Sequence, residues 1–237
     1  MRSDRHYDRP LEGRVSAVLA FDGCYEARRA AALSGVPQST VYDWARKGIV
    51  VPSISAEREK LWSYADLMTL RIVSWLRHPK GSAVHVRPAS AMRRVREALR
   101  QLDERGLDLW DGQDGQSPLV VDRSGEIIIL EGDFATNVDG QGRLRDLLDL
   151  LGPFDRSDGC QGPDLRRPRA HLRIVPGKCA GEPHLVGSRL TTPTIAALAC
   201  RGFGIDDLAR LYPDETRESI AEAIELETAL GSLDVAA

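Results

Sequence analysis

The chain has 237 residues, of which 42% are hydrophobic, 28% charged and 5% aromatic, and its formal net charge is −3. This length and apolar content suffice for a sizeable core and predict two domains. No stretch approaches the run of ~18 apolar residues that a membrane-spanning helix needs. Residues 1–14 are charged and lack the apolar core of a secretory signal, so we expect a cytoplasmic protein without membrane contact.

Motifs of enzymes and metal sites are missing from the sequence. There is no P-loop, no G-x-G-x-x-G, no G-x-S-x-G, no H-E-x-x-H and no cluster of acids. The cysteines are scattered, without a C-x-x-C pair or a histidine at ligand spacing: Cys24, Cys160, Cys179 and Cys200. We therefore expect a protein that is not an enzyme and that uses no catalytic residue, metal or cofactor.

Charge is divided unevenly along the chain. Residues 26–105 contain 15 Lys and Arg against 8 Asp and Glu, whereas residues 204–237 contain 2 Arg against 9 acids. A basic stretch suits phosphate, and an acidic stretch suits a basic protein. The sequence therefore indicates two ends that bind different partners.

The first helical elements follow a short apolar stretch, residues 15–21, which predicts a strand. Alanines on one face predict a first helix that ends at Ser34 and Gly35, and Pro37 fits the first turn of a second helix. The second helix has an apolar stripe at three- and four-residue spacing: Val41, Trp44 and Ala45. Its remaining positions form a polar face that could enter a DNA major groove.

A charged loop at residues 53–60 separates this pair from a third predicted helix over residues 64–77. The order of a small-residue helix, a G-V-P turn, an S-T-V-x-x-W-x-R-x-G helix and an extended exit resembles the winged helix-turn-helix of MerR-type regulators. The resemblance implies a DNA-binding domain, which we place at residues 1–105. We expect DNA contacts from the outward face of the second helix and from the loop: Ser39, Thr40, Tyr42, Asp43, Arg46, Lys47, Arg58 and Lys60.

A further helix is predicted over residues 88–105, with apolar residues at 3-4-3 spacing: Met92, Val95, Leu99 and Leu102. In MerR-type proteins a helix at this place forms an antiparallel dimer coiled coil. The seam here is short, so the helix either pairs with a second copy or packs on its own domain. We expect a homodimer, since one winged domain reads one half-site; the alternative interface is the strand edge at residues 127–130.

Residues 106–151 are predicted to form a connecting segment around a β-hairpin. Residues 119–122 and 126–130 are the two strands, and a Gly-containing turn lies between them. We expect a loop at residues 133–138 and a short helix at residues 144–151. A linker rich in Gly, Pro and charge follows at residues 152–169.

Residues 170–231 predict a compact C-terminal module with one strand and three helices, the turn between helices again being like a helix-turn-helix. Thr192 and Pro193 suit the N-cap and first turn of the first helix. The second helix begins with acidic residues, which its dipole favours. The third is predicted over residues 214–230, closed by Gly231. The fold class is therefore mainly α with small β elements.

Three runs within this module carry a second resemblance: G-E-P-H-L-V-G-S-R-L-T-T-P-T-I, R-G-F-G-I-D-D-L and L-Y-P-D. They are similar to the small family called domain of unknown function 433, which occurs in antitoxins encoded beside PIN-type ribonuclease toxins. The residues that match the family pattern are Gly181, Pro183, Gly187, Arg189, Gly202, Tyr212 and Pro213. We expect Arg189 to hydrogen-bond the carbonyls of its own loop.

Together the two resemblances imply a VapB-type antitoxin of a VapBC toxin–antitoxin pair. Such a protein forms a homodimer, binds a PIN-type ribonuclease and represses its own operon by binding operator DNA. We expect the toxin to contact the exposed arginine and the acids of the last two helices: Arg189, Asp206, Asp207, Glu218, Glu222 and Glu225. The alternative is a MerR-like transcription regulator that senses a small-molecule effector through its C-terminal half.

Overall fold

The computed structural model describes residues 22–82, 85–105, 119–121, 127–131, 134–136 and 163–233. These residues are mainly helical, with small antiparallel sheets, as the sequence predicts. The helices are α1 (Ala27–Ser34), α2 (Gln38–Arg46), α3 (Tyr64–Leu76), α4 (Met92–Arg105), α5 (Thr192–Cys200), α6 (Ile205–Leu211) and α7 (Arg217–Leu233). The predicted strand at residues 15–21 and the predicted helix at 144–151 lie outside the described residues.

The strands are short and pair locally. Three two-stranded sheets pair β1 with β2, β3 with β4, and β8 with β9, and a three-stranded sheet has the order β5-β6-β7. Their bounds are β1 (Tyr25–Glu26), β2 (Leu61–Trp62), β3 (Lys80–Ser82), β4 (His85–Arg87), β5 (Leu119–Val121), β6 (Ile127–Glu131), β7 (Phe134–Thr136), β8 (Leu172–Arg173) and β9 (His184–Leu185).

Helices α1 and α2 pack closely through small residues. Ala30 and Leu33 are fully buried, and Gly35 takes a positive φ of 70° that lets the chain turn into α2. Val41 and Trp44 form the buried side of α2, as their spacing predicts. The arrangement leaves the opposite side of α2 facing outward.

Helix α3 forms the centre of the N-terminal core. Ser63 caps it, since its hydroxyl accepts from the Asp66 N–H at 3.2 Å while Asp66 accepts from the Ser63 N–H at 2.8 Å. The three-residue spacing of its leucines and valine predicts a buried stripe, and every member has 0% exposure: Leu67, Leu70, Val73 and Leu76. This rigid helix supports both α1 and the loop that precedes it.

Helix α4 packs on its own chain. Of the two arrangements predicted for its apolar seam, the structure shows packing within one copy. Val95 and Leu102 are buried, while Met92 and Leu99 are partly buried against the same core. The seam is therefore already covered within one copy. The second candidate dimer interface is also covered, because β6 is the middle strand of its sheet and not an edge.

Two sequence predictions about loops and helix ends are wrong. Residues 134–136 form β7 and not a loop, because three residues are too few to show alternation and the neighbouring β6 supplies the pairing. Helix α7 begins at Arg217 and continues through Gly231. The Thr216 hydroxyl accepts from the Ser219 N–H at 3.1 Å and so caps α7 three residues later than predicted.

The start of α5 also differs from the prediction by one residue. Thr191 is the N-cap residue and Thr192 is already helical. The Thr192 side chain is fully buried, and its hydroxyl donates to Glu227 Oε1 at 2.5 Å. This hydrogen bond joins α5 to α7 and uses Thr192 for tertiary packing, not for capping.

The N-terminal and C-terminal parts share one hydrophobic core and meet along α1 and α7. At the junction, the Arg29 guanidinium lies 2.6 Å from Glu182 Oε2 and 2.8 Å from Glu227 Oε2. Burial lowers the pKa of Arg29, but the hydrogen bonds and charges of these carboxylates outweigh it and raise that pKa, so the guanidinium stays charged. We call Arg29, Glu182 and Glu227 the arginine clamp.

Further contacts across the junction come from backbone carbonyls. The Tyr25 hydroxyl donates to the Gly181 carbonyl at 2.8 Å, and the Tyr64 hydroxyl donates to the Leu165 carbonyl at 3.1 Å. Leu165 is fully buried, so the end of the predicted linker packs on α3. In the described part of the chain, no helix combines the length and hydropathy that crossing a membrane requires.

Candidate nucleic-acid interface

The outward side of α2 carries the predicted DNA-binding residues. The side chain of Arg46 is 77% exposed and that of Lys47 is 54% exposed, and Ser39 is exposed as well. Tyr42 is 46% exposed, and Thr40 is half-buried. The buried stripe on the opposite side holds α2 against the core, so these side chains share one accessible surface.

The charged residues at the C-terminal end of α2 pair with one another. Asp43 accepts from Arg46 at 2.6 Å and from Lys47 at 2.7 Å, both within one helical turn. The Lys47 hydrogen bond, with that of Arg46, holds the pKa of Asp43 below its usual range. Asp43 therefore positions the two cations on the surface, and its carboxylate is already engaged by them.

Residues 53–60, called here the wing loop, form a closed turn beside α2. Ser55 and Leu61 exchange backbone hydrogen bonds at 3.2 and 2.9 Å, which close the base of the loop. Ser53 anchors it, because both its N–H and its hydroxyl donate to Asp66, at 2.9 and 2.7 Å. Burial raises the pKa of Asp66 above its usual range, and the hydrogen bonds from Ser53 and Ser63 offset only part of this increase.

The two predicted cations of the wing loop differ in their surroundings. The Lys60 ammonium donates to the carbonyls of Ala56 and Glu57 at 2.7 and 3.1 Å, so it holds the loop together. Arg58 is exposed, and its side chain forms no hydrogen bond or ion pair within the described residues. Arg58 is therefore the cation of this loop that is available to a ligand.

A groove of about 690 Å³ separates the wing loop from α2. It brings together three predicted residues from two separate stretches of the chain, Tyr42 on α2 and Arg58 and Lys60 in the wing loop. Residues that the sequence analysis did not select also line it: Glu26, Arg28, Gln38, Glu57 and Glu59. Gln38 could have been found from its place one turn before Tyr42, at a four-residue spacing on the same side of the helix.

Tyr42 lines this groove and contacts the protein core. Its ring meets the Trp62 ring edge to face, with centroids 6.2 Å apart and an interplanar angle of 79°. Trp62 belongs to β2 and is fully buried, so it cannot turn away from the contact. The outward side of α2 thus carries an aromatic ring that contacts the protein core.

The predicted acidic surface of the last two helices is partly neutralised by intramolecular ion pairs. Asp206 pairs with Arg217 at 2.6 Å and Asp207 pairs with Arg210. Glu222 accepts from the His171 N–H at 2.7 Å, and Glu225 pairs with Arg169 at 3.3 Å. Of the predicted toxin-binding acids, Glu218 alone forms no hydrogen bond or salt bridge in the described ranges.

The expectation for Arg189 is wrong. Its side chain is exposed and makes no hydrogen bond to its loop in the part of the chain that the structure describes. The turn is held instead by the Ser188 hydroxyl, which accepts from the Leu190 N–H at 2.9 Å, and by Gly187 at a φ of 80°. No group of three His, Cys, Asp or Glu side chains among the described residues is placed to hold a metal ion.

Comparisons with known proteins identify the C-terminal module alone. No curated protein and no solved structure matches the chain. Residues 173–226 match the family described as "Protein of unknown function (DUF433)". The match extends from β8 into α7 and includes Glu182 of the arginine clamp, so the matched segment contributes one of the contacts with α1.

Proposed function

We propose that this protein is an antitoxin that represses its own operon by binding DNA and neutralises a PIN-type ribonuclease toxin. The observation that carries the DNA-binding half is the accessible side of α2, where Arg46 and Lys47 project beside a closed wing loop. A helix of this exposure, held by a buried stripe, has the geometry of a recognition helix that enters the major groove. The MerR-like order of elements supports the same role.

The toxin-binding half of the proposal rests on the C-terminal module. Its DUF433 match supports it, since this family is often found in toxin–antitoxin-like contexts. The exposed Glu218 and the acids near it offer negative charge to the basic surface with which a ribonuclease grips RNA. Intramolecular pairing of the other acids limits this charge, so complementarity would add mainly to the association rate.

We further propose that the protein binds DNA as a homodimer, because a single winged domain contacts one half-site. Val95 and Leu102 of α4 are buried within the chain, and β6 is paired on both sides. The dimer contact would therefore use neither of these surfaces. The dimer interface has to hold the two DNA-binding domains about one helical turn apart along the DNA.

Replacing both Arg46 and Lys47 with alanine is expected to weaken DNA binding and to flatten its salt dependence. Each lost phosphate contact lowers the slope of log K against log salt by about 0.9, so the pair lowers it by up to ~2. Fluorescence anisotropy with operator DNA at several salt concentrations measures both quantities. Arg167→Ala, an exposed arginine far from α2 in sequence, is the control; an unchanged slope in the double variant would move the DNA contacts elsewhere.

A further inference from the structure

The side of α2 that faces solvent is divided into two chemically different halves. The C-terminal half holds the paired charges of Asp43, Arg46 and Lys47. The N-terminal half presents Gln38 and Tyr42 to the groove beside the wing loop. The two halves are therefore suited to different parts of a DNA duplex.

Gln38 has an uncommitted side-chain amide, and Tyr42 contacts the protein core. Gln38 is the first residue of α2, and its side-chain amide forms no hydrogen bond within the described ranges. Tyr42 lies one helical turn later and rests on the buried Trp62 ring. The amide can hydrogen-bond one base edge while the neighbouring aromatic ring, which already contacts Trp62, packs on another.

The charges around this pair do not favour phosphate. Three carboxylates and three cations line the groove: Glu26, Glu57, Glu59, Arg28, Arg58 and Lys60. Their charges balance, and the Lys60 ammonium is already engaged with carbonyls of its own loop. Phosphate attraction is therefore stronger at Arg46 and Lys47, at the other end of the helix.

We propose that Gln38 and Tyr42 read the base sequence in the major groove, with Gln38 hydrogen-bonding an adenine and Tyr42 packing on a nearby thymine methyl group. The inference rests on the proposed DNA-binding function and deepens it. A glutamine amide matches the N6 donor and N7 acceptor of adenine, and apolar contact distinguishes thymine by its methyl group. N-terminal residues of a recognition helix are the ones that reach base edges.

The experiment starts from duplexes selected out of a randomised pool by the full-length protein. For each variant, the ratio of dissociation constants for the selected and a scrambled duplex is measured at fixed salt, together with the salt slope. Gln38→Ala is expected to lower this ratio about 10-fold and to leave the slope unchanged, since a base contact specifies without neutralising phosphate. Tyr42→Ala is expected to lower the ratio as well.

Gln38→Glu gives the sharper outcome. A carboxylate accepts from the N4 amino group of cytosine, so the preferred base at the Gln38 position should change from adenine to cytosine. Gln101→Ala, which changes a glutamine of α4 that does not line the groove, is the matched control and should keep both ratio and preference. The Gln38 side chain makes no hydrogen bond within the residues that the structure describes, so its variants should fold, and a thermal unfolding curve checks this.

Each result decides a separate point. Retention of the wild-type ratio by both Gln38→Ala and Tyr42→Ala would overturn the base-reading role and leave DNA binding intact. Binding of all duplexes with equal affinity by the wild-type protein would overturn it too. Failure of the wild-type protein to bind any duplex would instead refute the DNA-binding half of the proposed function, and the inference with it.

Discussion

Replacing Arg29 with alanine is expected to lower the free energy of unfolding by about 3 kcal/mol, because two largely buried carboxylates lose their partner. Glu182 and Glu227 are 23% and 13% exposed, and each accepts more than one hydrogen bond from the Arg29 guanidinium. Without it, both must stay charged in a poorly hydrated junction or bind protons. Urea denaturation of the full chain at neutral pH measures the loss.

The charge explanation has a matched control. The triple variant Arg29→Met, Glu182→Gln and Glu227→Gln removes the unpaired charges, so it should be more stable than Arg29→Ala alone. Thr192 still has an amide oxygen to donate to at residue 227, so α5 remains joined to α7. If Arg29→Ala unfolded at the wild-type urea concentration, the clamp would be a surface ion pair of little energetic weight.

Replacing Gly181 with alanine is expected to cost about 2–4 kcal/mol, the second-largest loss that the structure predicts, since backbone strain and a steric clash act together. Gly181 has a φ of 76°, and a Cβ atom there would lie 2.1 Å from the Tyr25 hydroxyl oxygen and 3.0 Å from the Asp22 carbonyl oxygen. The clash falls on the segment that joins the two parts of the chain. Thermal and urea unfolding report the change.

Gly187 separates the two contributions. Its φ of 80° imposes the same backbone strain, but nothing lies within 4 Å of an added Cβ atom. Gly187→Ala should therefore cost only about 1 kcal/mol. In a Tyr25→Phe background, which lacks the hydroxyl, Gly181→Ala should cost less than in the wild type; an equal cost for Gly181→Ala and Gly187→Ala would contradict the steric explanation.

The sequence predicts the helices well because their buried stripes have regular spacing. Val41 and Trp44 on α2, and Leu70 and Val73 on α3, are buried as their periodicity requires. It predicts helix ends less well, since these depend on tertiary contacts. Helix α7 continues past Gly231 because a single helical glycine costs only about 1 kcal/mol relative to alanine.

Contacts between distant residues have no local signal. Arg29 is 153 positions from Glu182 and 198 from Glu227, and nothing in the spacing of these residues indicates that they meet. For Lys60 the sequence suggests a side chain that is free to contact phosphate. In the structure its ammonium donates hydrogen bonds to carbonyls three and four residues earlier in the chain. Both depend on the folded path of the backbone.

The arginine clamp also affects how the two proposed binding functions are tested. Because α1 and α7 share a core, cutting the chain before the C-terminal module would expose the buried side of α1. A truncated protein is therefore expected to be less stable, so a loss of DNA binding in it would not locate the binding surface. Point substitutions in the intact chain separate the functions more cleanly.

The most direct test of the antitoxin proposal is an RNA cleavage assay with the PIN-type ribonuclease that the proposal requires as the cognate toxin. We expect the full-length protein to stop cleavage near stoichiometric amounts. The Arg46→Ala and Lys47→Ala double variant should inhibit equally well while binding DNA weakly, since α2 and α7 carry separate surfaces. Undiminished cleavage with an excess of folded wild-type protein would contradict the proposal.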